Sequence, residues 1–249
     1  TLLAYRRSNR VVMFVKEPGA GPIPEGYRAP GVPAGTYYEF EATAAGESYR
    51  VRTRPGVFSW RGLDGGTEML LNALKVHPSD EVLDLGAGYG LVGLHAARRA
   101  GAEHVTLVDV DVLACDSAVQ TLRANGIAEP RVILGDGVSA AGERPYTLIV
   151  SNPPFHSGHA IDAEVVQAII AEAFEALAPR GRLVLVANRF LPYDRPMARV
   201  FGAVETLAQS TRYHVLSAPK LYRRKARGKA TRARRQVLDE ETVYEIGDE

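Results

Sequence analysis

Glu81-Val82-Leu83-Asp84-Leu85-Gly86-Ala87-Gly88-Tyr89-Gly90 is the stretch that decides the fold. Val82 to Leu85 is a short apolar run of strand character, and glycines follow it directly. From Leu91 to Ala100 the pattern turns helical, with Leu91, Leu94 and His95 at i, i+3, i+4. Glycines at a strand-to-helix turn let the backbone approach a ligand closely, and the first helical turn presents free N–H groups. Working outward, 104–108, 131–134, 146–150 and 182–187 read as strands, and 112–124 and 164–178 as helices. Such alternation predicts an α/β protein with a doubly wound, mostly parallel sheet. Ligands bind these sheets at the carboxyl ends of the strands, where Gly86, Asp109, Asp136 and Asn152 would converge.

The strand Val105 to Val108 ends at Asp109, about twenty residues beyond the glycines, where an acid suits a ribose diol. Asp109 can also be read as the N-cap of the helix starting near Val112, with Asp111 the other candidate. Asp136, in Gly135-Asp136-Gly137, suits the amino group of an adenine or serves as a turn residue.

Ser151-Asn152-Pro153-Pro154-Phe155 follows the apolar run Tyr146 to Val150. A buried strand thus delivers a stiff loop carrying one amide, two prolines and one aromatic ring. Asn152 can present its carbonyl oxygen as an acceptor while its NH2 anchors elsewhere. The prolines have fixed φ and no N–H, so their carbonyls are acceptors in a rigid frame. Phe155 offers a face on which a planar base can stack. Together these groups suit an exocyclic NH2 that donates two hydrogen bonds while its nitrogen attacks. A nicotinamide dinucleotide is the rival ligand, because Gly88-Tyr89-Gly90-Leu91-Val92-Gly93 matches G-x-G-x-x-G. That fingerprint wants its first glycine immediately after the strand, at Gly86, and position 91 is then Leu. It also leaves Asp84 and the Asn152 loop without a role.

At 249 residues, 46% hydrophobic and 24% charged, the chain suits one α/β domain with small additions. Cys115 is the only cysteine, which excludes an internal disulfide and a cysteine-based zinc cluster. No apolar run approaches the roughly 18 to 20 residues of a membrane span. Arg6, Arg7 and Arg10 ahead of Val11 to Val15 do not resemble a cleavable signal. A cytoplasmic location is expected, with no membrane partner and no metal.

The net charge of +1 hides an asymmetry, since Lys220 to Arg235 holds nine Lys or Arg and no acid. Six acids and no base follow, from Asp239 to Glu249. The basic stretch suits a phosphate backbone, or is a solvated tail. Ahead of the sheet, 37–43 and 48–54 read as a hairpin, either a lid or a small separate sheet. Residues 17–35 read as a Pro/Gly-rich loop, and 67–74 as a short helix capped near Gly66 or Thr67. Past the sheet a helix is expected near 195–201, and 203–209 with 212–218 as a closing antiparallel pair. Three segments result: an extension over 1–54, the main domain over 55–218 and a tail over 219–249.

Pro55-Gly56-Val57-Phe58-Ser59, Gly62 to Thr67, Val82 to Gly88, Ser151 to His156 and Ala187-Asn188-Arg189-Phe190-Leu191-Pro192-Tyr193 together carry a resemblance. The chain resembles class I S-adenosylmethionine-dependent methyltransferases, and among them the small-subunit ribosomal RNA guanine-N2 methyltransferases. The resemblance implies a seven-stranded Rossmann-like sheet and methyl transfer from S-adenosylmethionine to guanine N2 in ribosomal RNA, the 16S species or the small subunit being the expected partner. It implies cofactor contacts from Asp84, Gly86, Ala87, Gly88, Gly90, Asp109, Asp136, Gly137 and Asn152, and from Phe58 and Thr67 in the segment that relatives fold over the cofactor. Asn152, Pro153 and Phe155 are the expected catalytic residues, and Pro154, Phe155 and His156 the substrate-binding ones, with His156 placed to receive a proton or simply structural. Trp60 and Tyr89 are expected to pack. Transfer to adenine N6 or a glutamine amide, or an idle RNA-binding module, are the alternatives. Relatives usually carry a full N-terminal domain, where this chain has about 54 residues, and usually lack the basic tail.

Overall fold

The computed structural model describes residues 2–6, 9–12, 21, 36–153 and 160–221. Two short antiparallel pairs come first: β1 (Leu2–Arg6) with β2 (Asn9–Val12), and β3 (Tyr38–Ala44) with β4 (Glu47–Thr53). The first pair has no counterpart in the sequence reading. In the second, Ala45 and Gly46 form a two-residue turn with φ of 51° and 75°. Positive φ at both positions matches the twist of paired strands. There follow α1 (Gly65–Ala73), β5 (Val82–Leu85), α2 (Leu91–Ala100), β6 (Val105–Asp109), α3 (Val112–Ala124), β7 (Arg131–Leu134), β8 (Tyr146–Ser151), α4 (Ala160–Ala176), β9 (Leu177–Asn188), α5 (Asp194–Phe201), β10 (Glu205–Gln209) and β11 (Tyr213–Pro219).

Strands β5 to β11 form the expected seven-stranded sheet, in the order β10-β11-β9-β8-β5-β6-β7. It is parallel from β9 to β7, and β11 runs antiparallel to both its neighbours. Because strand side chains alternate between faces, each face buries its own core. Val82, Leu107, Leu148 and Val150 pack with Leu70 of α1, Leu94 of α2 and Leu122 of α3. Leu83, Val108, Ile149 and Leu185 pack on the other face with Ile170 of α4 and Met197 of α5. Asp84, between Leu83 and Leu85, therefore points to the α2 face.

The β3–β4 pair is a fixed sheet on α2 and α3 rather than a lid. Ala42, Ala44, Tyr49 and Val51 belong to the same core as Leu94 and Leu122, so residue 54 marks no break in packing. Tyr49 Oη lies 2.7 Å from His95 Nδ1. The Asn125 amide spans the β4 backbone, donating to Arg50 O at 2.7 Å and accepting from Arg50 N–H at 3.2 Å. Tyr38 packs edge-on to Trp60, and Phe40 edge-on to Tyr89.

Strand β9 starts five residues earlier than the 182–187 expected. Tyr146 pairs with Leu177 and Leu148 with Arg182, so Ala178 to Gly181 form a bulge in which Arg180 has φ 67°. Its loop chemistry masked a strand that resumes on both sides. Lys220, first of the basic stretch, donates through Nζ to Leu177 O at 2.7 Å and Glu175 O at 3.2 Å, capping the end of α4. The remainder of that stretch, the acidic end and nearly all of 17–35 lie outside the described residues. At the opposite end of the sheet from the carboxyl termini, Asp80 bonds Arg182 Nη2 at 2.8 Å, Thr147 Oγ1 at 2.7 Å and His77 N–H at 2.8 Å. Among the described residues, no helix is long and apolar enough to cross a membrane.

Candidate active site

The chain steps from β5 to β6 and β7 on one side, then returns to β8 on the other. The carboxyl ends of β5 and β8 therefore flank the crevice where such sheets bind ligands. Leu85 pairs with Ser151 in register, and the buried Ser151 hydroxyl donates to Leu85 O at 2.6 Å. Gly86 and Asn152 thus leave the sheet side by side.

Gly86 and Ala87 donate their N–H groups to Val108 O at 2.9 and 3.1 Å. Gly88 N–H donates to Asp109 Oδ2 at 2.8 Å, while Asp109 Oδ1 accepts from Asp111 N–H at 2.9 Å. Asp109 is therefore a strand-end acid joined to the glycine loop, and the N-cap of α3 is Asp111, which accepts from Leu113 N–H at 2.8 Å. An ionised carboxylate has about four acceptor sites, so Asp109 keeps capacity for further donors. Gly86 and Gly88 have φ of 71° and 56°. Among the described residues, a Cβ at 88 would meet nothing within 4 Å, and one at 86 only Ser151 Oγ at 4.0 Å. The loop therefore faces open space.

Gly90 and Gly93 behave differently. Gly90 is buried, and a Cβ there would stand 2.9 Å from both Ala118 Cβ and Leu122 Cδ1. At Gly93 it would reach Leu107 Cδ2 at 2.5 Å. Both are small so that α2 can approach α3 and β6, a packing role for Gly90 beside the cofactor role expected of it. Asp84 has a structural role of the same kind. It is 2% exposed and accepts from Gly93 N–H at 2.7 Å, holding the first turn of α2 against the end of β5. Burial pushes its pKa up to about 7, opposed by the Gly93 amide and assisted by the charge of Asp109.

Asn152 is half-buried. Its Nδ2 donates to Thr67 Oγ1 at 2.9 Å and approaches Asp64 Oδ2 at 3.4 Å. Its Oδ1 is buried and has no hydrogen-bond partner among the described residues. Pro153 is buried beside it, while Pro154, Phe155 and His156 lie outside the described residues. Thr67 in turn sits in the first turn of α1, whose N-cap is Asp64 rather than Gly66 or Thr67. Asp64 Oδ2 accepts from Gly66 N–H at 2.9 Å and Thr67 N–H at 3.0 Å.

The remaining expected residues stand around this centre. Gly135 N–H donates to Asp109 O at 3.0 Å, placing the exposed Asp136 beside the end of β6. Gly137 has φ 68°, and a Cβ there would press on Glu172 Oε2 at 2.6 Å, the oxygen that accepts from Val138 N–H at 2.8 Å. Its glycine accordingly answers to that approach. Phe58 is 60% exposed on the loop before α1, which Tyr89 Oη reaches through Gly62 O at 3.5 Å.

Three residues escaped the sequence reading. Asp64 had a usable signal, an acid three residues before Thr67 at a helix start. Val110, 67% exposed next to Asp109, had none, since an apolar residue after a strand reads as core. Tyr213 lies far along the chain, yet its ring would stand 3.3 Å from a Cβ at Gly66. Burial, and then the charge of Asp64, push its hydroxyl pKa up. Chemically, the site offers one oriented, desolvated acceptor beside an open glycine loop. No group of three or more His, Cys, Asp or Glu able to hold a metal occurs among the described residues.

The methyltransferase small domain family matches residues 48–217. The chain is 42% identical over 169 residues to the ribosomal RNA small subunit methyltransferase C of Pseudomonas aeruginosa, covering 68% of this chain and 50% of that one. For the protein of the same name from Escherichia coli the identity is 40% over 168 residues, with 68% and 48% covered. The chain thus spans about half the length of the relatives it matches. Among solved structures, the T. thermophilus 16S rRNA N2 methyltransferase in complex with AdoMet and guanosine superposes with a TM-score of 0.72 at 33% identity, covering 88% of this chain and 57% of that one. A methyltransferase from Pyrococcus furiosus, at 19% identity and TM-score 0.58, shares the fold.

Proposed function

The chain belongs to the methyltransferase small domain family, and from that premise we propose that it transfers a methyl group from S-adenosylmethionine to the exocyclic N2 of a guanine in ribosomal RNA, of the 16S species. The observation that carries this reading is the Asn152 amide. Its NH2 is tied to Thr67, which leaves its buried Oδ1, without a partner among the described residues, to accept from a base in the crevice.

The residues present fit the cofactor. Gly86, Ala87 and Gly88 leave room against an exposed backbone, Asp109 offers carboxylate capacity for a ribose, and Asp136 with the exposed Val110 suits an adenine. Phe58 and Thr67 stand on the segment that would close over it. S-adenosylmethionine supplies a sulfonium-activated methyl group, so no metal or covalent nucleophile is needed. The chain must then position a poor nucleophile. Guanine N2 has its lone pair delocalised into the ring. Asn152 Oδ1 and the Pro153 carbonyl, by accepting its two N–H hydrogens, would favour a tetrahedral nitrogen and aim that lone pair outward. Phe155 and Pro154 would hold the ring, and the proton that N2 sheds once methylated would pass to His156 or to water. The rate gain comes from alignment and preorganised acceptors rather than proton transfer. An RNA base must be unpaired or flipped outward to reach such a loop.

The test is tritium transfer from labelled S-adenosylmethionine onto 30S subunits, 50S subunits, naked ribosomal RNA and total protein, followed by nucleoside analysis. Label recovered as N2-methylguanosine from 30S material or 16S RNA is the expected result. Label in N6-methyladenosine or in a glutamine side chain would overturn the acceptor. Cofactor binding with no label anywhere would overturn the enzyme reading.

A further inference from the structure

A second feature opens beside the crevice, where β9 leaves the sheet. Asn188, Arg189, Phe190, Thr211, Arg212 and Tyr213 line a groove of about 570 Å³, within the roughly 300 to 1,000 Å³ usual for ligand sites. Its walls are fixed by main-chain bonds. Arg189 N–H donates to Arg212 O at 2.8 Å, and Leu191 N–H to Asn188 O at 2.9 Å. Across the groove, Ser210 Oγ accepts from the N–H groups of Arg212 and Tyr213 at 3.2 and 3.0 Å. Arg189 Nη1 donates to Ser210 O at 3.1 Å, which steadies its guanidinium.

The lining chemistry is selective. Phe190 is 71% exposed, so its ring face is open to a stacking partner. Arg189 and Arg212 are both exposed, and none of the six lining residues is acidic. An open aromatic face with two guanidinium groups is the arrangement that binds a single nucleic-acid strand, by base stacking and phosphate contact. The groove also borders the site through one shared wall. Tyr213, one of its walls, packs on Gly66, and Asp64 beside that glycine approaches the amide of Asn152.

We propose that this groove holds the RNA strand adjoining the target nucleotide, with a flanking base stacked on Phe190 and its phosphates held by Arg189 and Arg212. This rests on the reading of the substrate as RNA. It adds a subsite that binds strand rather than the methylated base. Its occupant is unpaired, because stacking on Phe190 requires a base face free of its helix.

The experiment is binding of a fluorescein-labelled single-stranded RNA dodecamer to the full chain, with cofactor affinity measured by calorimetry as the control for folding. Phe190→Ala should weaken RNA binding about tenfold, within the roughly five- to hundredfold expected for one lost stack. Phe190→Tyr, which keeps the ring, should restore it. Arg212→Ala should flatten the dependence of log K on log salt by about 0.7, the value for one phosphate contact on a single strand. RNA affinity within twofold of the parent in both alanine variants, at unchanged cofactor affinity, overturns the proposal, as does absence of dodecamer binding by the parent. Methyl transfer by the parent chain is scored separately. Binding that depends on Phe190 without transfer to guanine would sink the enzyme reading and leave the groove standing.

Discussion

Replacing Thr67 by Val should disable the proposed methyl transfer while leaving the fold and the glycine loop nearly whole. Thr67 is 8% exposed, and its hydroxyl takes the 2.9 Å bond from Asn152 Nδ2. Valine fills a similar volume, and the helix cap survives, because Asp64 takes the N–H groups of Gly66 and Thr67 at 2.9 and 3.0 Å while its contact with the Thr67 hydroxyl is long, at 3.5 Å. The amide then loses its one short anchor, and the 3.4 Å approach to Asp64 is too long to replace it. A partly buried NH2 left unsatisfied costs about 1 to 3 kcal/mol. That energy now separates the orientation presenting Oδ1 from rotated ones, and without it the rotated ones compete. At about 1.4 kcal/mol per factor of ten, turnover should fall by about five- to a hundredfold. Single-turnover tritium transfer measures this, with cofactor affinity by calorimetry expected within a few-fold of the parent. Melting should drop by a few degrees, since 1 kcal/mol shifts a domain of this size by about 2 to 4 °C. Thr67→Ser keeps the hydroxyl and should keep most of the activity. If Thr67→Val turned over within twofold of the parent while Asn152→Ala was inactive, the anchored amide would not be what aims Oδ1, and the mechanism would need another positioning group.

Other consequences are equally direct. Asn152→Ala should abolish turnover yet change cofactor affinity by no more than a few-fold, read by the same two assays. Gly88→Ala adds a methyl into open space at φ 56°. It should cost about 1 to 2 kcal/mol of stability but lower cofactor affinity by more than tenfold, whereas Gly90→Ala should chiefly lower the melting temperature, because its methyl meets Ala118 and Leu122. Arg182→Ala leaves the buried Asp80 without its cation, and breaking such a pair costs about 3 to 5 kcal/mol, visible in urea denaturation. Asp84 has a folded pKa raised to about 7, through burial first, then against the Gly93 amide and with the charge of Asp109. The folded chain therefore binds more protons than the unfolded one between the ordinary aspartate range and pH 7, so this residue's contribution is full at low pH and declines as pH rises toward 7. Asp84→Asn, which can still accept from Gly93, should gain stability relative to the parent between pH 5 and pH 8; a pH-independent difference in denaturation midpoints would refute the buried-carboxylate argument.

The sheet was legible because its strands are short, nearly unbroken apolar runs, and β5 to β8 lie where Val82 to Leu85, Val105 to Val108, Arg131 to Leu134 and Tyr146 to Val150 suggested. Where local chemistry and tertiary pairing disagreed, pairing won. Ala178-Pro179-Arg180-Gly181 has the composition of a turn, and only the partners Tyr146 and Leu148 reveal a bulge inside one strand. The site was legible in its residue types but not in its division of labour. Gly86, Gly88, Gly90 and Gly93 look alike along the chain. What separates them is the neighbour each faces, open space for the first two and Ala118, Leu122 or Leu107 for the others. Asp64 and Tyr213 needed the fold itself, since nothing near residue 64 or 213 announces that each lies next to Asn152 or its anchor.

The hydrogen bond from Ser151 to Leu85 also bears on when this protein acquires its chemistry. The two loops it brings together are separated by 66 residues of chain, and β8 enters the sheet between β5 and β9, which is later still. A growing chain that has folded through β7 owns a glycine loop but no facing amide. The crevice closes only when the middle of the sheet is filled from its C-terminal half. Once complete, any ligand spanning both loops ties the early half to the late half, so ligand-dependent protection of β5 and β8 amides from hydrogen exchange would time the moment at which the catalyst is born.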